Sequence, residues 1–158
     1  MGHHDPGERA RTPTVLLADD HPLIRLEVRH DLEEGGFRVC AEVGSAGEAV
    51  EAAVREGPDL CLLDVSMPGG GLHAAAQIRA RVPTTRVVML TVSAREEDVL
   101  EAVRAGACGY LLKDDEPARL AVALHDVLRG VPAFSRGLGP SLVRAASTAL
   151  RPAALATD

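Results

Sequence analysis

Five residues able to do chemistry stand where short apolar runs stop. Asp19 and Asp20 follow TVLLA (Thr14–Ala18), Asp64 follows Leu60–Leu63, Thr91 follows Arg86–Leu90, and Lys113 follows Cys108–Leu112. Three carboxylates gathered in one pocket repel each other, so some must hold protons or a cation must neutralise them. Oxygen-only donors and a partly hydrated site suit magnesium, which keeps several waters and takes few carboxylates. Such an ion would keep the acids charged and offer positions to phosphoryl oxygens. Lys113 adds a fixed positive charge and Thr91 a hydroxyl donor. A nucleophilic carboxylate, a metal clamp and charge-complementing donors are the parts needed to move a phosphoryl group onto a carboxylate.

Convergence depends on the elements carrying these residues. The run Thr14–Ala18 is continuous rather than alternating, as in a strand buried on both faces of a parallel sheet. Pro22 opens a helix with Ile24, Val28 and Leu32 on one face, stopped by Gly35 and Gly36. Phe37 to Val43 reads as a second strand. Ser45 and Glu48 have capping-box spacing before a helix that ends at Gly57-Pro58. Leu60–Leu63 is a third strand, followed by a Pro-Gly loop (Met67 to Gly71) and a helix marked by Leu72, Ala75, Ile78 and Val82. Arg86–Leu90 is a fourth strand. Ser93 and Glu96 make a second capping box, leading a helix to Gly106. Cys108–Leu112 is a fifth strand, and Pro117 opens a helix ending at Gly130.

Five strand–helix units predict an α/β fold, a doubly wound five-stranded parallel sheet of order 2-1-3-4-5. That order makes the first and third strands neighbours and puts all the carboxyl ends on one edge, where sites of open α/β sheets lie. Residues 13–131 form this domain. Residues 1–12 read as a disordered leader. Residues 132–158 read as a linker or tail, in which Leu138, Leu142, Ala146, Ala149 and Leu150 could line a short amphipathic helix and Ala153 to Asp158 frays.

The bulk numbers exclude some functions. With 17 basic and 23 acidic residues the net charge is -6, which disfavours nucleic-acid binding. One Tyr, two Phe and no Trp disfavour a site built on aromatic stacking. No apolar run reaches the ~20 residues of a membrane helix, and no signal-peptide stretch opens the chain, so a cytoplasmic location is expected. Cys40, Cys61 and Cys108, odd in number and set in apolar runs, read as free thiols.

Taken singly, each polar residue has a plain reading: Asp19-Asp20 as a turn and helix cap, Asp64 as a turn residue, Lys113 with Asp114 and Asp115 as a surface loop. Their joint placement, each at the end of a separate strand, favours a site.

The segments LLADDHPLIR, LLDVSMPGGG, LTVS and GYLLKD resemble, in order and spacing, the receiver domains of response regulators, the CheY-like superfamily, over about Thr14 to Gly130; ADDHP before a helix is most similar to the NarL/LuxR subfamily. The resemblance implies a two-component system receiver that accepts a phosphoryl group on Asp64 from a sensor histidine kinase. It implies Asp20 as direct Mg2+ ligand, Asp19 as the second acid acting through water, and Ser66 giving a backbone carbonyl. It also implies Thr91 as switch hydroxyl, Lys113 as phosphate partner, and Tyr110 as the aromatic that turns inward on phosphorylation. The chain would catalyse only its own phosphorylation and dephosphorylation, not act as an enzyme on other substrates. Homodimer formation on phosphorylation is a further implication.

The sequence departs from the family at two places. The Gly expected eight residues after Asp64 is Leu72, with Gly71 one earlier, so the loop reads one residue shorter. Subfamily members also continue into a helix-turn-helix domain, which the residues after Gly130 are too few to hold. No specific DNA binding by this chain alone is therefore expected, and a role in transcription regulation would act through an output domain outside it. Three other readings compete. A flavin or nucleotide binder is disfavoured by the acidic first loop. A carboxylate-nucleophile phosphatase would want a second Asp where Ser66 stands. A receiver acting as an interaction module without phosphate would be expected to lack an acid or the lysine.

Overall fold

The computed structural model describes residues 11–156, with backbone alone for 151–156. The leader expected over 1–12 lies outside them except for Arg11 and Thr12. The elements run β1 (Thr14–Ala18), α1 (Pro22–Glu34), β2 (Arg38–Val43), α2 (Ala46–Glu56), β3 (Leu60–Leu63) and α3 (Gly71–Arg81). They continue as β4 (Arg86–Thr91), α4 (Glu96–Arg104), β5 (Gly109–Leu112), α5 (Pro117–Leu128) and β6 (Ala133–Phe134). A 3-10 turn (Arg136–Leu138) and α6 (Pro140–Ala156) complete the chain.

All strand pairs are parallel, in the order β2-β1-β3-β4-β5-β6. The expected 2-1-3-4-5 order is present, with a sixth strand added beside β5. Those two residues are too short to carry an alternation, and Ala133 pairs with Gly109 and Phe134 with Tyr110. Glycine is needed at position 109 because a Cβ there would meet the Ala133 carbonyl at 2.6 Å. Ser135 fastens this strand, receiving the Leu112 amide on its hydroxyl (2.8 Å) and donating to Asp115.

The continuous apolar runs follow from burial on both sheet faces. Val15, Leu17, Leu62, Val88 and Leu111 face α1 and α5. Leu16, Leu63, Met89, Tyr110 and Leu112 face the side covered by α2, α3 and α4. Cys61 is fully buried and Cys40 and Cys108 partly so, all as free thiols; burial pushes the Cys61 thiol up to about 12, which leaves it inert as a nucleophile.

The helix starts divide. At α2, Ser45 caps as expected: its hydroxyl accepts the Glu48 amide (3.3 Å), and Glu48 reaches back to the Gly44 amide (3.1 Å). At α4 the expected capping box does not form. Arg95 is the cap residue, without a side-chain bond. Ser93 instead accepts the Arg95 amide (3.3 Å) and donates to Asp98 (2.6 Å). Its carbonyl is held by the Tyr110 hydroxyl (2.8 Å), a tertiary bond that a local motif does not encode.

The tail also differs from expectation. Leu138 lies in the 3-10 turn rather than in the helix, and α6 runs on through Ala156, into the stretch expected to fray; residues 157 and 158 lie outside the described ones. The helix packs on α4, with Ala146 fully buried and Leu142, Val143 and Leu150 partly buried. These four recur at helical spacing on one stripe, while Arg144, Ala145, Thr148 and Ala149 face solvent.

Candidate functional site

Adjacency of β1 and β3 sets the site. Ala18 pairs with Leu63, so the residues leaving these strands, Asp19 and Asp64, emerge side by side, and the Asp64 amide donates to the Ala18 carbonyl (3.0 Å). Both carboxylates are buried, with side chains 5% and 3% exposed, whereas the Asp20 side chain is 34% exposed at the mouth.

Lys113 arrives from the end of β5, its amide donating to the Thr91 carbonyl (2.9 Å). Its ammonium lies 2.6 Å from Asp19 Oδ2 and 3.3 Å from Asp64 Oδ2, bridging the two buried acids. Burial by itself would raise the Asp19 carboxyl. The hydrogen bond from Lys113, the amide of His21 and the lysine charge outweigh it and hold the group below its ordinary value of 3.8. The His21 amide donates to Asp19 Oδ1 (2.9 Å), and Arg25 donates to the Asp19 carbonyl (2.5 Å).

The loop after Asp64 is shaped by glycine. A Cβ on Gly71 would fall 1.9 Å from the Asp64 carbonyl oxygen. This position, not 72, is where the backbone must pass with no side chain, and α3 begins there with Leu72 half-buried behind it. Ser66 is exposed, and its amide donates to Asp64 Oδ1 (3.4 Å).

Thr91 is fully buried at the end of β4, and its Oγ1 accepts the Ser93 amide (3.4 Å). Tyr110 is fully buried too. The ring expected to turn inward on phosphorylation is already inward, held by its bond to the Ser93 carbonyl. Ser93, read from the sequence only as a helix cap, therefore joins Thr91, Tyr110 and the start of α4.

His21 belongs to the site as well. Its Nδ1 lies 3.1 Å from Asp19 Oδ1 and 3.1 Å from Asp20 Oδ1. Asp19, Asp20, His21 and Asp64 each bring a donor atom to within 4.8 Å of the others. Its signal was the residue itself, next to the acid pair and before a helix-opening proline. The donor set, mostly carboxylate oxygens with one face open to solvent, fits a partly hydrated divalent cation such as magnesium. Among the described residues no helix is long and apolar enough to cross a membrane.

The response regulator receiver domain family matches residues 15–125. The nitrate/nitrite response regulator protein NarL of Escherichia coli (strain K12) is 40% identical over 131 residues, covering 82% of this chain and 61% of that protein. The nitrate/nitrite response regulator protein NarP of the same organism is 41% identical over 123 residues, covering 77% and 57%. The chain thus spans about three fifths of the length of these curated relatives. The signal receiver domain of the putative response regulator NarL from Mycobacterium tuberculosis superposes with a TM-score of 0.73 at 34% identity, covering 76% of this chain and 98% of that one. A LuxR-family two-component response regulator from Aurantimonas sp. SI85-9A1 superposes at 0.80 with 33% identity, covering 85% and 97%.

Proposed function

The chain belongs to the response regulator receiver domain family, and from that we propose that it is switched by phosphorylation of Asp64, with a sensor histidine kinase as donor. The observation that carries this is the Lys113 ammonium bridging Asp19 and Asp64 at the joined ends of β1 and β3. It marks Asp64 as a buried carboxylate beside a cation. An Asp64 oxygen attacks phosphorus, the nitrogen–phosphorus bond of a phosphohistidine breaks, and the electron pair returns to the imidazole. The product is an acyl phosphate.

Magnesium fits the site: Asp20, Asp64 and the Ser66 carbonyl would hold it, with Asp19 as the second acid, and when bound it would supply positive charge to the phosphoryl oxygens. Lys113 pairs with the charge that Asp64 gains. The Thr91 hydroxyl turns toward the phosphoryl group by a charge-assisted hydrogen bond, giving up the Ser93 amide. Because Ser93 also holds Tyr110 and Asp98, that exchange is felt at the start of α4. The signal is thus a local charge change biasing one packed element. Homodimerisation and a role in transcription regulation follow from the same family reading.

The test is intact-mass measurement after incubation with acetyl phosphate and Mg2+. One phosphoryl group should be added, labile to hydroxylamine, and Asp64→Asn should add none. Uptake by Asp64→Asn at the wild-type rate would overturn the assignment.

A further inference from the structure

His21 is the one member of the four-residue donor cluster that is neither an acid nor bound to Lys113. Its imidazole is 64% exposed, and although His21 is the N-cap residue of α1, its side chain makes no capping bond. The contacts of the ring nitrogens are with the pocket carboxylates, Nδ1 lying 3.1 Å from both Asp19 Oδ1 and Asp20 Oδ1. The backbone of His21 is not free, because the amide is fixed to Asp19 Oδ1 and Pro22 follows in the first turn.

The distances fit coordination. In an octahedral shell with metal–oxygen bonds of about 2.1 Å, neighbouring donors stand about 3 Å apart. Nδ1 lies 3.1 Å from Asp20 Oδ1. Asp19, by contrast, already takes the Lys113 ammonium on Oδ2 and the His21 amide on Oδ1. The donors left facing the open side are Asp20 and His21, with Asp64 behind them. A ring nitrogen this close to two carboxylates either donates a proton to them or shares a cation with them.

We infer that His21 is a ligand of the cation site, adding one nitrogen donor beside the carboxylates of Asp20 and Asp64 and thereby favouring first-row transition-metal dications over Mg2+. The inference rests on the reading of the acid pocket given under Proposed function. Imidazole is a softer donor than carboxylate or water. A mixed nitrogen–oxygen site gains affinity along the series from Mn2+ towards Cu2+, whereas Mg2+ gains little from nitrogen.

Mn2+ is the probe, titrated into the whole chain by electron paramagnetic resonance, with Mg2+ in competition. Wild type should bind Mn2+ with a 14N imidazole coupling in the pulsed spectrum. His21→Ala, a change at an exposed side chain, should lose that coupling. It should weaken Mn2+ binding on the order of tenfold, while Mg2+ affinity stays within about twofold. If Mn2+ binds wild type and His21→Ala equally, with no 14N coupling in either, the inference fails and the acid-pocket reading stands. If neither metal's binding responds to Asp20→Asn, the acid-pocket reading itself fails and takes the inference with it.

Discussion

Lys113 is the residue on which the charge balance of the pocket turns. It touches both buried acids, and without it the burial that raises Asp19 would be opposed only by the bonds from His21. The sign of the pH effect follows. The Asp19 carboxyl is depressed in the folded chain, so its stabilising contribution is present above the ordinary value of 3.8 and is lost as pH falls through the lower native value. In Lys113→Met the Asp19 carboxyl should titrate above its wild-type position, and acid unfolding should begin at higher pH. Carboxyl-carbon NMR titration together with urea unfolding against pH would show both; an unmoved Asp19 would mean that the ion pair contributes nothing. Tyr110 offers a second test at this scale, since it is the sole tyrosine and there is no tryptophan. Burial raises its hydroxyl to about 12. A raised phenol favours the neutral folded form, so that contribution is complete below its ordinary value of 10 and is lost between there and about 12. Absorbance at 295 nm reads this group alone. A midpoint near 10 in folded protein would show the ring to be outward in solution.

At the scale of elements, one glycine and one helix make the sharper predictions. Gly71 lies against the Asp64 carbonyl so closely that any Cβ forces the β3–α3 loop apart. Gly71→Ala should lower stability by roughly 1–3 kcal/mol, as overpacking does elsewhere, and should slow phosphorylation of Asp64 by displacing its backbone. Urea midpoints and acetyl phosphate kinetics check the two effects. Ala146 seals α6 onto α4 with no exposed surface, and a charge there has no partner to bury against. In Ala146→Glu, hydrogen exchange along α6 should become fast while β1, β3 and β4 stay protected. Equal loss across the sheet would mean that α6 is part of one cooperative unit with it. These elements also show what the sequence could and could not disclose. Strand ends were legible because four buried apolar runs each stop at a polar residue, and that pattern survives without tertiary detail. The α2 cap was legible because Ser45 and Glu48 bond within one turn. The α4 box was not, because Ser93 is claimed by Tyr110 from β5 and by Asp98. Nor was β6, whose two residues carry no period and are defined by the backbone of Gly109. His21 was hidden by Pro22, which already explained why a helix starts there.

For the whole molecule, the topology that joins β1 to β3 sets like charges together, and the fold bears the cost. Lys113 neutralises one charge among Asp19, Asp20 and Asp64, so the pocket remains net negative, with Asp20 its most exposed acid. Like charges in contact disfavour the folded state until a cation enters. A ligand that binds only the folded chain stabilises it by about 2.7 kcal/mol at a concentration some 100-fold above its Kd. For a chain of this size that corresponds to roughly 5–10 °C in Tm. Wild type should therefore melt higher in saturating Mg2+ than in chelator. Asp20→Asn should behave oppositely in each condition. In chelator it should melt above wild type, because one repelling charge has gone from the mouth of the pocket. In Mg2+ it should gain nothing, because a ligand has gone with the charge. The crossing of the two curves is the diagnostic result, since a generic loss of packing would lower both and a generic stabilisation would raise both. If Asp20→Asn melts below wild type in chelator and still rises with Mg2+, the cation is held elsewhere on the molecule and the strand-end pocket is not its site.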